Sequence, residues 1–271
     1  MADQVDTPAS GASPASENLL QQNESGRRFG GVERLLGPDA LQRLAGTHVA
    51  VAGIGGVGSW AVEALARSGI GALTLIDLDH VAESNINRQI HALDSTLGAA
   101  KAETMSRRIG EISAACTVHV IDDFVTPDNA ADLLPGDAII LDAIDQPRVK
   151  AAMIALAVAR GQQIVVCGAA GGVFNGLGLK RGDLAHTRGD PLLSSVRARL
   201  RRNHGFTREL THAFKVDSLY FPEQRPARPG SIDVAGAPLA CAGYGSIVTV
   251  TAAMGLAAAG LVIEKACAPK R

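Results

Sequence analysis

Residues 53–58 read G-I-G-G-V-G, and Asp77 stands 24 positions after Gly53. Gly53, Gly55 and Gly58 satisfy the spacing of a dinucleotide-type phosphate turn, with Gly56 as an extra. Gly53 permits a tight turn off a strand. Gly55 and Gly56 clear side chains, so that backbone N–H groups can approach phosphate oxygens. Gly58 lets the next helix pack on the sheet, and that helix's N-terminus adds partial positive charge. Asp77 and Asp79 close the next apolar run, where a carboxylate can meet a ribose hydroxyl. A tight turn without a ligand would share the glycines but would not need the acidic partner.

A second cluster, S-N-I-N-R-Q at 84–89, suits a polyphosphate better than a dinucleotide. Arg88 can bond phosphate oxygens in a bidentate way, and Asn85 and Gln89 can orient them. Lys101 follows a Gly-Ala-Ala turn at the start of a helical stretch and can add a point charge. At about 4 Å and an effective dielectric near 20, such a charge is worth roughly 4 kcal/mol against one phosphate charge, before desolvation. Spacing alone equally allows Arg88 and Lys101 to be solvated surface charges. The run L-D-A-I-D-Q-P puts Asp142 and Asp145 at the carboxyl end of a strand, where open α/β sheets bind ligands. A carboxylate there can hold magnesium. It can also cap the helix that opens at Pro147. The two roles are compatible.

These groups need a frame. HVAVAG, ALTLID, TVHVIDD, DAIILD and QQIVVCG read as five short buried strands. VGSWAVEALARSG, KAETMSRRIGEI, AADLL and PRVKAAMIALAVARG read as the helices between them. The alternation predicts an α/β fold with a Rossmann-like, mainly parallel sheet and helices on both faces. After Gly168 the rhythm changes to turns with at most one short strand. A basic, exposed helix follows at DPLLSSVRARLRRNHG, and a mobile loop at 216–238 holds Pro222, Pro226, Pro229 and Pro238. Helix and loop together occupy about 180–238, and an apolar helix at about 243–265 closes the fold. Residues 1–25 are expected to be a disordered tail, and 26–271 a single domain.

Composition narrows the classes. The chain has 271 residues, 46% hydrophobic and 20% charged, which excludes a disordered chain. A net charge of −1 gives no overall basicity, and 3% aromatics make a base-stacking platform unexpected. Basicity is local: residues 180–228 carry 11 Lys and Arg against 5 Asp and Glu, so they are +6 and the remainder −7. Arg197, Arg199, Arg201 and Arg202 share one helix turn or two and could meet nucleic-acid phosphates, or simply be solvated. The cysteines at 116, 167, 241 and 267 form no C-x-x-C pair, which argues against a zinc ribbon or a disulfide scaffold and fits a reducing cytosol. The first residues lack the basic start and apolar run of a signal peptide. Residues 234–263 carry no charge and could span a bilayer. Their Ala, Gly, Thr and Val content favours a buried helix packed on the sheet or on a second copy, with membrane association as the alternative.

Taken together, GIGGVG, LIDLD, S-N-I-N-R-Q, Lys101 and D-A-I-D resemble the ubiquitin-activating-enzyme-like adenylyltransferase superfamily, which includes ThiF and MoeB. The likeness covers about residues 27–170. It implies carboxylate adenylation with ATP and Mg2+. It places Gly56 and Asp77 on the nucleotide, Asn85, Arg88 and Lys101 on phosphates, and magnesium on Asp145. RRFGGVERLLG, NRQIHAL, DDFVTPDN, LDAIDQPRVKAA, DPLLSSVRARLR and C-A-G-Y-G extend the resemblance over nearly the whole chain after residue 26. These match the tRNA threonylcarbamoyladenosine dehydratase branch, whose implied substrate is tRNA carrying threonylcarbamoyladenosine. The resemblance also implies a homodimer, in which an N-terminal arginine (Arg27, Arg28 or Arg34) reaches the partner's phosphate site, and it allows a sulfur-relay protein partner. The two zinc C-x-x-C pairs of ThiF and MoeB are missing. Cys241 is the candidate for a thioester nucleophile, although a packed small residue is the simpler reading. Three other functions stay open: activation of a ubiquitin-like sulfur carrier, an NAD(P)-dependent oxidoreductase, and a nucleotide sensor without turnover.

Overall fold

The computed structural model describes residues 26–222 and 245–268. The expected N-terminal tail, Cys241 and most of the expected mobile loop lie outside these residues. A helix α1 (26–36) and a short α2 (Ala40–Ala45) precede β1 (His48–Ala52). Then follow α3 (Gly58–Arg67), β2 (Ala72–Ile76), α4 (Lys101–Ile112), β3 (Thr117–Ile121), α5 (Ala130–Leu133) and β4 (Ile139–Asp142). The chain continues through α6 (Pro147–Ala159), β5 (Ile164–Cys167), β6 (Lys180–Asp183), α7 (Pro191–Asn203), β7 (Asp217–Tyr220) and α8 (Val248–Cys267).

One seven-stranded sheet runs β3-β2-β1-β4-β5-β7-β6. Every pairing is parallel except β6 with β7. Side chains alternate faces along each strand, which splits the core in two. Val49, Val51, Leu73, Leu75, Leu141 and Val165 meet α3, α4 and α8. Ala52, Ile76, Ile140, Ile164 and Val166 meet α6 and α7 on the other face. The strand order reverses between β1 and β4, and that switch point opens a crevice at the strands' carboxyl ends.

Two expectations after Gly168 are corrected. The segment expected to begin a mobile loop at 216 instead forms β7, with Ser218 and Leu219 buried beside β5. Its polar-apolar alternation is too short to read locally, and pairing on both sides buries it. The basic helix α7 is not simply exposed: Leu193, Val196 and Leu200 fill the core, so only part of its circumference is free.

Helix α8 is long and apolar enough to cross a membrane, with mean hydropathy 1.5. In this fold Val250, Met254, Ala258 and Val262 are seated in the core. A Cβ on Gly255 would lie 2.4 Å from the Val57 carbonyl oxygen, so α8 crosses directly over the start of α3. Its far end is tied down by Lys265 Nζ on Asp217 Oδ2 (2.5 Å) and by Arg181 on Glu264 (2.9 Å). The packed-helix reading of this segment is the one its burial favours.

Candidate active site

The crevice is a cleft of about 520 Å³. Its first wall is the glycine turn leaving β1. Gly53 has φ +87°, and a Cβ there would lie 3.0 Å from the Ala143 carbonyl oxygen, so the turn needs glycine twice over. Gly55 and Gly56 line the cleft. Gly58 does not. A Cβ at Gly58 would fall 1.8 Å from the Gly53 carbonyl oxygen, so its role is to let α3 start against the turn.

Asp77 closes that turn from β2. Its Oδ2 accepts from the Ile54 N–H at 2.6 Å and its Oδ1 from the Asp79 N–H at 2.8 Å. Burial raises its carboxyl above the usual range, against the pull of Lys101 and these amides. Each oxygen keeps a lone pair for a hydroxyl donor. Asp79 lines the cleft and accepts from Lys101 Nζ at 2.7 Å. The Lys101 side chain is 7% exposed while that of Asp79 is 54% exposed. Lys101 is therefore a cation held in the wall, not a solvated one.

Arg88 is held at both ends. Its Nη1 donates to the Ser84 carbonyl at 2.7 Å and to Asn87 Oδ1 at 3.0 Å. Its own carbonyl accepts from Trp60 Nε1 at 3.0 Å and Thr251 Oγ1 at 3.3 Å. Gln89 lines the cleft, and its Oε1 is buried without a hydrogen-bond partner among the described residues. Asn85 is not in the lining. It is buried, and its Oδ1 accepts from the Ala82 N–H at 3.1 Å, so it shapes the loop that carries Arg88.

Asp145 lines the opposite wall, is exposed, and makes no hydrogen bond or ion pair with another described residue. The capping expectation fails for it. Gln146 is the residue flanking α6, without a side-chain capping bond. Asp142 does not face the cleft at all. It is fully buried and paired with Lys150 at 2.8 Å. None of Arg27, Arg28 and Arg34 lines the cleft of its own chain; Arg28 donates to the Ile112 carbonyl at the far end of α4. Among the described residues, no group of three or more His, Cys, Asp or Glu gathers as a metal cluster.

Several cleft residues were not expected from the sequence. Thr251 reaches it from α8, and its only local signal is a hydroxyl in a mostly apolar stretch of helix. Phe124 and Val125 come from the loop after β3, and Gly168 and Ala169 from the end of β5. Asp190 caps α7 through the Leu193 N–H and also accepts from the Ala169 N–H, both at 2.9 Å, so α7 is fastened to the cleft wall.

The cleft thus offers glycine-turn amides, the carboxylate of Asp77 behind that turn, two cations and one free carboxylate. A model of the ThiF family matches residues 31–268. The chain belongs to the ThiF family. This ThiF-family protein is 42% identical over 247 residues to the tRNA threonylcarbamoyladenosine dehydratase of Haemophilus influenzae, covering 88% of this chain and 93% of that one. The solved E. coli tRNA N6-threonylcarbamoyladenosine dehydratase in complex with ATP superposes with a TM-score of 0.79 at 43% identity. Its complex with AMP superposes with a TM-score of 0.80. Both comparisons cover 89% of this chain and 94% of the other.

Proposed function

We propose that this chain uses ATP to dehydrate threonylcarbamoyladenosine in tRNA, closing the side chain into a ring. The observation that carries the reading is the cleft itself. Arg88, Lys101 and the glycine turn face one space with the free Asp145 carboxylate. The similarity to dehydratases over nearly the full length of both chains supports it.

A carboxylate is a poor electrophile because its leaving group would be oxide. One carboxylate oxygen of the threonylcarbamoyl group attacks the α-phosphorus, and pyrophosphate leaves. The resulting acyl-adenylate has AMP as its leaving group. The side chain's own carbamoyl group attacks the activated carbon, AMP departs, and the ring closes. Closure is intramolecular, so effective molarity replaces a protein nucleophile. The protein's work is placement and charge neutralisation. Asp77 holds the ribose, and the Gly55–Gly56 amides, Arg88 and Lys101 face the phosphates.

The donor set also fits Mg2+. This ion takes one or two carboxylates, keeps several waters and completes its shell with phosphate oxygens. Asp145 supplies an unpartnered carboxylate on the cleft wall. Bound there, magnesium would neutralise charge on the polyphosphate.

For the tRNA we assign the free part of the basic region. Arg202 and Arg208 are exposed, whereas Arg201 donates to the Thr207 carbonyl and Arg197 to Thr187. The reading further includes a cytoplasmic homodimer. The half-exposed Leu256 on the outer face of α8 supports it by offering apolar surface to a second copy.

The test is exchange of labelled pyrophosphate into ATP, with nucleoside analysis of the tRNA. Wild type should exchange only with modified tRNA and should convert its nucleoside. Arg88→Ala and Asp145→Ala should nearly abolish both. Exchange driven by a carrier peptide instead of tRNA would favour sulfur-carrier activation, and ATP binding without any exchange would leave a sensor.

A further inference from the structure

Helix α6 is apolar on nearly every side, yet it carries Lys150 with its side chain 0% exposed. All three ammonium protons find acceptors. Nζ lies 2.8 Å from Asp142 Oδ1, 2.8 Å from the Ile144 carbonyl and 3.3 Å from the Asp142 carbonyl. Asp142 Oδ1 in turn accepts from the Ile144 N–H at 3.2 Å. Two of the three acceptors are therefore backbone carbonyls of the turn that leaves β4, which a simple charge match would not require.

The pair is poorly explained as a stabilising device. A fully buried ion pair is often no better for stability than apolar residues of the same volume. Here Asp142 Oδ2 is left without a hydrogen-bond partner among the described residues. What the pair does hold is position. The turn it clamps continues into Asp145, whose carboxylate faces the cleft. The same turn carries Ala143, whose N–H donates to the Ala52 carbonyl at 2.9 Å and whose carbonyl oxygen abuts Gly53.

We infer that Lys150 is a positioning residue, acting through Asp142 to fix the turn that presents Asp145 to the metal–phosphate site. The inference rests on the proposed reading of Asp145. Loss of the clamp should act on the metal requirement and on turnover, and much less on the nucleotide, whose glycine turn and Asp77 follow β1 and β2.

The experiment uses the full chain with Lys150→Met and with the double variant D142L/K150M. The single variant strands a buried carboxylate and is expected to lose stability. The double removes both charges and should recover the thermal midpoint. In the folded double, the magnesium concentration for half-maximal pyrophosphate exchange should rise, and kcat fall, by about tenfold or more. Calorimetric ATP affinity without divalent cation should stay within about twofold. Hydrogen exchange of the 143–146 amides should quicken by about tenfold while β1 and β4 stay protected.

A folded double with wild-type magnesium dependence and wild-type protection at 143–146 overturns the inference. So does an equal loss of metal-free ATP affinity, which would make the pair a general support of the cleft. If wild type itself fails to exchange pyrophosphate, the functional reading falls, while hydrogen exchange still reports whether Lys150 holds the turn.

Discussion

His91 gives a prediction whose size can be worked from its surroundings. It follows the Arg88–Gln89 loop, is 2% exposed, and neither ring nitrogen has a hydrogen-bond partner among the described residues. Burial, then the nearby charges of Lys101 and Arg108, push its pKa from 6.5 down to about 4. The folded protein therefore refuses a proton that the unfolded chain accepts. Above about pH 6.5 this costs nothing. As pH falls toward 4 the unfolded state gains protons first, and stability declines. Each pKa unit corresponds to about 1.4 kcal/mol, so the full loss is roughly 3 kcal/mol. That is a large part of the 5–15 kcal/mol typical of a domain. His91→Phe fills similar space without a titrating ring. Urea unfolding, followed through Trp60 as the chain's one tryptophan, should be run on both proteins from about pH 7.5 to 4. The stability difference between them should shift toward the variant by roughly 3 kcal/mol across that range. Contributions from other groups, such as the low-titrating Glu63 beside Arg108 and Arg67, cancel in the comparison. Parallel pH profiles would refute the reasoning.

Gly58→Ala drives a Cβ into the Gly53 carbonyl and should abolish ATP binding by calorimetry with a lower thermal midpoint. Gly110→Ala, in the exposed interior of α4 with open space around it, should instead raise stability by about 0.5–1 kcal/mol in thermal unfolding. Lys101→Met should weaken ATP binding by about tenfold or more, equivalent to about 1.4 kcal/mol, with the fold retained. Arg202→Glu or Arg208→Glu should lower tRNA affinity and reduce its salt slope by about 1 in filter binding. Arg201→Ala should show up mainly in the thermal midpoint, because that guanidinium stands 5.3 Å over the Phe214 ring.

The first five strands and the helices between them were legible because β1, β2, β4 and β5, buried on both faces, read as nearly bare apolar runs, while the edge strand β3 reads through its Val-His-Val alternation. Gly53, Gly55, Gly56, Asp77, Asp79, Gln89, Arg88, Lys101 and Asp145 were legible as cleft residues because glycine spacing and strand ends are local signals. Where reading failed, a partner that spacing does not reveal decided the outcome. Asn85 belongs to the phosphate-type motif by spacing, but its Oδ1 accepts from the Ala82 amide and the residue is not part of the cleft lining. Asp142 looked as available as Asp145 until α6 supplied Lys150. The strand β7 owes its identity to β5 and β6, and Thr251 reaches the cleft only because α8 returns across the start of α3.

That return has a consequence for synthesis. Ribosomes release a chain from its N-terminal end, and structure accrues in that order. The Arg88 carbonyl waits for a hydroxyl 163 residues downstream, and Gly56 faces the methyl of the same threonine. A nascent polypeptide can pair its early strands yet has an unfinished pocket until the last long helix emerges and docks.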